Sequence, residues 1–176
     1  MTKLNLFKSI TLVLGCAAFA LTSTRAEAGA IKAHAGTTFT LTPVEFANGI
    51  PTKFTHTVDG VVRVSLLGNC TVHADVIAVP SPDFSSFSLA GTFRITSADG
   101  ATSLNAEVKG VATTDPDNQY FANFHYDVKF TSGTGRMANA SGKGDIDGFG
   151  MFTSETKGTA TWLLEGNVAT HGYGRR

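Results

Sequence analysis

The amino-acid sequence predicts an all-β protein, an antiparallel β-barrel of about eight to nine strands, on three observations. Apolar residues alternate with polar ones at period two from Ile31 to the C-terminal region, the spacing of a half-buried strand. No stretch beyond residue 28 sustains the 3.6-residue period of an amphipathic helix, so the strands are joined by short connections and no crossover helices. The 19 glycines suit a sheet that bends and closes on itself. Closure leaves no edge strand, whereas a β-sandwich, the alternative, would leave several.

Taken in order, strands are expected at Ile31 to Thr42, Thr52 to Val58, Val61 to Leu67 and Cys70 to Val79, with Asp59-Gly60 and Gly68-Asn69 as tight turns. Pro80-Ser81-Pro82 ends that series. Phe87, Leu89, Gly91, Phe93 and Ile95 then share an inward face, and Ala98-Asp99-Gly100 reverses the chain. The return strand, Ala101 to Ala112, turns Leu104, Ala106, Val108 and Gly110 inward and ends at Asp115-Pro116-Asp117-Asn118. The clearest alternation follows. Tyr120, Ala122, Phe124, Tyr126, Val128 and Phe130 share the core face, while Asn123, His125, Asp127 and Lys129 point to water. Asp145 to Ser154 and Gly158 to Val168 complete the set.

The N-terminus reads as a signal peptide spanning residues 1–28. Lys3 and Lys8 precede an apolar run from Ile10 to Leu21, too short for a bilayer, which needs about 20 residues. Ala26-Glu27-Ala28 supplies small residues at the cleavage positions, placing the cut before Gly29. The expected location is therefore the periplasm or the exterior. Val13-Leu14-Gly15-Cys16 offers a competing cut, a lipoprotein box that would anchor the chain by an acylated Cys16. Cleavage before Gly29 leaves residues 29–176 as one domain and takes Lys3, Lys8, Arg25 and Glu27 from fourteen charges of each sign. The remaining 11 basic and 13 acidic residues give no electrostatic footprint for nucleic acid. Cys70 is then the only cysteine, so no internal disulfide forms.

Between the strands expected to end near Phe130 and to start near Asp145 lies a glycine-rich segment. It is no phosphate loop, because Met137 and Gly144 stand where a Walker loop needs glycine and a hydroxyl. Gly133-Thr134-Gly135-Arg136-Met137, followed by Ala140 and Gly142, resembles a Gly-Thr-Gly-Arg-aromatic-x-x-Ala-x-Gly segment of the allene oxide cyclase and dirigent β-barrel superfamily. About ten residues match closely, with Met137 in place of the aromatic. The flanking strands, from Tyr120 to Val168, fit that family's C-terminal hairpin, and the N-terminal half matches in pattern only. The resemblance implies an eight-stranded barrel, often a homotrimer, with a cavity that takes an apolar substrate and steers its cyclisation or coupling. None of the family's cavity residues can be carried over. Apart from any family, glycines there allow a tight reversal, and Arg136 could hydrogen-bond exposed carbonyls.

The inward faces gather few polar-capable side chains: His56, Cys70, Tyr120, Tyr126 and Trp162. Of these His56, Tyr120, Tyr126 and Trp162 are the candidate ligand-binding residues, suited to orient an aromatic or isoprenoid-like molecule. His56 also fits a satisfied core or rim histidine, and Cys70 a buried inert thiol. His73 with Asp75, and His125 with Asp127, share outward faces and read as surface polarity, not metal sites. Asp145-x-Asp147-Gly148 lacks the later ligands of a calcium loop. Gly-x-Ser-x-Gly and inward paired carboxylates are missing, which disfavours a hydrolase, and no cofactor motif is present. The first functional expectation is an exported barrel that binds a small apolar ligand or serves as an envelope scaffold. The alternative is a cyclase or dirigent-like enzyme using His56 and Tyr126. A lumen packed solid by Phe93, Phe124, Tyr126 and Trp162 would leave the scaffold alone.

Overall fold

A computed structural model describes residues 27–170. The apolar run and Val13–Cys16 of the expected signal peptide lie outside the described residues. Eight strands follow one another: β1 (Glu27–Ala47), β2 (Ile50–Val64), β3 (Gly68–Pro80), β4 (Ser86–Ser97), β5 (Ser103–Asp115), β6 (Asn118–Thr134), β7 (Ser141–Ser154) and β8 (Lys157–Thr170). Each pairs antiparallel with the next, and β1 pairs with β8, closing the barrel and excluding the sandwich. No helix among the described residues is long and apolar enough to cross a membrane.

The strand count is settled at Asp59-Gly60, which is not a turn. β2 runs straight through it, with Gly60 opposite Thr37 in the β1 register. A Cβ on Gly60 would stand 2.6 Å from the Gly36 carbonyl oxygen and 2.7 Å from Thr37 Cα. Glycine is needed there for close backbone approach, and the Asp-Gly pair only mimics a hairpin signal. The reversal between β1 and β2 falls instead at Asn48-Gly49, with φ of 52° and 81°. Positive φ at both central residues is the mark of the hairpin turn that fits strand twist. β1 reaches that turn beyond Thr42 by register shifts around Pro43, Glu45 and Phe46, where the missing proline N–H costs the ladder least. The expected turn at Gly68-Asn69 falls earlier, at Ser65-Leu66-Leu67, and both residues open β3, whereas Asp99-Gly100 and Pro116-Asp117 stand between strands as expected.

The two ends of the barrel differ. At the end holding the N-terminus of β1, Ile31, Val64, Ile95, Leu104, Phe130, Leu164 and Val168 are buried to 2 % exposure or less. The glycine-rich segment belongs to this end. It is shorter than expected, because β6 continues to Thr134 and β7 starts at Ser141, leaving a 3-10 turn at Gly135–Met137. Met137 and Ala140 are buried in the same core. Gly135 has φ of 56°, and a Cβ on Gly133 would meet the carbonyl oxygens of Met137 and Ser103. Arg136 is exposed, and it is its backbone N–H that bonds here, to Thr102 Oγ1. The segment's job in this fold is to close one end of the barrel. At the other end Leu41, Phe54, Phe87, Phe124 and Phe152 are only partly buried.

Candidate functional site

A cavity of about 110 Å³ occupies the half of the lumen toward that less packed end. It is on the scale of the ~150 Å³ apolar cavities that accept a benzene-sized molecule. Strand alternation aims Phe39 and Leu41 of β1, His56 and Val58 of β2, Phe93 of β4, Phe124 and Tyr126 of β6 and Trp162 of β8 into it. The lumen is therefore not packed solid, although Phe93, Phe124, Tyr126 and Trp162 all line it.

Glycine lets the rings around the cavity lie close against β7. The inner face of β7 reads Gly142, Gly144, Ile146, Gly148, Gly150, Phe152, so most of that wall has no side chain. A Cβ on Gly148 would stand 2.6 Å from Trp162 Cβ and 2.7 Å from Phe124 Cζ. Phe124 leans into the space Gly148 vacates, and Phe39 into that of Gly150. Phe39 does the same over Gly158, where a Cβ would stand 2.4 Å from its Cζ. Phe39 in turn meets His56 and Phe152 edge to face, with centroids 5.3 and 5.0 Å apart, an arrangement that suits the ring quadrupoles.

Of the four candidate residues, the fold brings His56, Tyr126 and Trp162 to one cavity and leaves Tyr120 out. Tyr120 keeps the inward phase but stands beyond the wall, at the first residues of β6, and is 55 % exposed. Cys70 is buried at the closed end, away from the cavity. His56 and Tyr126 sit on β2 and β6, four staves apart in an eight-stave barrel, so they enter the lumen from opposite walls. Reading the chain alone missed Phe39, Thr37 and the glycine wall of β7. Alternation in β1 and β7 pointed to that face, but closure was needed to show which residues it meets.

The polar groups of the wall differ in how they are satisfied. Thr37 donates its hydroxyl hydrogen to the Ala160 carbonyl at 3.3 Å, and Thr114 donates to the Ser85 carbonyl at 2.9 Å. His56 has neither ring nitrogen in contact with solvent or a hydrogen-bond partner. It is thus not a satisfied core histidine. Burial pushes its pKa down from 6.5 to about 4, so the imidazole is neutral at pH 7. Burial also pushes the Tyr126 phenol well above its ordinary range.

No family model, curated protein or solved structure matches the chain.

The outer face carries two histidines paired with carboxylates. His73 bonds Asp59 at 2.7 Å and Asp75 at 3.2 Å, and the Asp59 bond leads in raising its pKa. His125 bonds Asp147 across to β7 at 2.8 Å and is raised in the same way. His125, Asp127 and Asp145 present ligand atoms within 4.8 Å of one another, all exposed. This is the arrangement a metal would use, but strand register alone produces it, since Asp127 lies opposite Asp145 and His125 opposite Asp147.

Proposed function

We propose that this protein binds a small, mainly apolar ligand in the lumen of its barrel and does so outside the cytoplasm. The observation that carries this reading is the apolar cavity itself, walled by aromatic rings and aliphatic side chains. A scaffold gains nothing from such a void, because unfilled core volume costs stability, about 24 cal/mol per Å³ in core truncation series. The charged N-terminus, apolar run and Ala26-Glu27-Ala28 motif support export. Binding is favoured over turnover. No carboxylate lines the cavity, and the pKa directions at His56 and Tyr126 make one a weak base and the other a weak acid at pH 7.

Thermal unfolding with and without one-ring hydrocarbons tests the proposal. Ethylbenzene at 100 times its Kd should stabilise the protein by about 2.7 kcal/mol and shift the NMR resonances of Phe124 and Trp162. A variant with the cavity filled, Ala112→Phe, should lose both effects. Unchanged Tm and unchanged lumen resonances across hydrocarbons from benzene to naphthalene would defeat the reading.

A further inference from the structure

Inside an apolar cavity, each polar atom states something about what it is meant to meet. The threonine hydroxyls of this wall are committed to backbone carbonyls, as described above. Lysine, arginine, aspartate and glutamate are all missing from the lining. His56 stands apart, because both of its ring nitrogens are shielded from solvent and neither has a partner among the described residues. Its ring is held at the level of Leu41 and Val76 by strand register, and edge to face against Phe39. A leucine would fill this position without leaving nitrogens unpaired, and a buried unpaired polar group costs about 1–3 kcal/mol.

A neutral imidazole presents one N–H donor and one bare acceptor nitrogen. A hydroxyl can answer either, and a carbonyl oxygen can answer the donor. A carboxylate or ammonium would have to shed its hydration in a cavity that offers no opposite charge, at a cost far above one hydrogen bond. The low pKa agrees, since the ring stays uncharged well below neutrality.

Building on the lumen-binding reading, we infer that the ligand is an uncharged, mainly hydrocarbon molecule with a single oxygen function, a hydroxyl or carbonyl, which His56 engages. His56 is then a specificity-determining residue: it selects the oxygenated molecule over the plain hydrocarbon and over its acid.

Benzyl alcohol, ethylbenzene and phenylacetate test this, because the first two differ only by OH for CH₃ and the third is charged at pH 7. Calorimetric Kd values are measured for the wild-type protein and for His56→Leu. The ratio of alcohol to hydrocarbon affinity should fall about tenfold in the variant, the size of one hydrogen bond of ~1.4 kcal/mol, and phenylacetate should bind neither protein. In the wild type, the His56 ring nitrogen resonances should move with benzyl alcohol and stay in place with ethylbenzene, a readout that does not depend on the variant folding. An unchanged ratio with both neutral probes bound, or phenylacetate binding as well as the alcohol, overturns the inference while leaving lumen binding intact. Failure of all three probes to bind overturns the lumen-binding reading beneath it.

Discussion

His56 couples the site to the stability of the whole chain. Unfolded, it takes up a proton near its ordinary pKa of 6.5; folded, only near 4. Between those values the unfolded state binds more protons, so stability is fully present above pH 6.5 and is lost as pH falls toward 4. The gap corresponds to about 3 kcal/mol, as an order of magnitude. His56→Leu should flatten this slope and raise stability at pH 7 by about 1–2 kcal/mol, because it removes two unpaired nitrogens. Urea titrations of both proteins at pH 7.5, 6 and 4.5 check it. Carboxylates and surface histidines titrate in both, so parallel decline of the two midpoints would count against the assignment. That His56 points inward was legible from its place between Phe54 and Val58. That it has no partner was not, because its surroundings come from β1 and β3.

Among the elements, β3 and β4 show how the wall is built. Gly91 lies opposite Val76, and a Cβ there would stand 2.1 Å from the Asp75 carbonyl oxygen and 2.6 Å from Val76 Cα. Both obstacles are backbone, so neither can rotate away. Gly91→Ala should therefore destabilise the protein by about 1–3 kcal/mol, the usual range for overpacking, measured as a lowered urea midpoint at constant slope. A neutral effect would mean that the two strands can part locally without disturbing the barrel. The inward phase of Gly91 was readable between Leu89 and Phe93, since alternation is a local property of each strand. Gly60 shows the limit of that reading. Asp-Gly is a strong hairpin signal by itself, and only the proximity of Gly36 and Thr37 reveals that it is used for close strand packing.

For the molecule as a whole, the decisive contact is the seam between β1 and β8, which joins the first described strand to the last. The proposed cleavage before Gly29 would cost this seam only its two outermost pairs, Glu27 with Thr170 and Ala28 with Ala169. Deleting residues 29–36 as well would remove the pairing from Gly29–Val168 through Gly36–Thr161 and take Ile31, Ala33 and Ala35 from the core. The remaining sheet would expose two unpaired edges, a template for aggregation. Such a chain should show no cooperative unfolding transition and should elute as aggregates in size-exclusion chromatography. A soluble monomer with a sharp transition would show that the seam is dispensable.

By itself the sequence determined the all-β class, most of the turns and the inward face of nearly every strand. These follow from the period-two alternation of side chains and the backbone needs of turn residues, both set within a few positions of chain. Tertiary structure alone decided that there are eight strands and not nine, that one end is packed shut while the other keeps a cavity, and that Tyr120 falls outside it. It also decided that the ring nitrogens of His56 find no hydrogen-bond partner among the described residues. Each of these depends on residues far apart in the chain, such as Gly60 against Thr37 and Gly148 against Trp162, that come together only when the sheet closes.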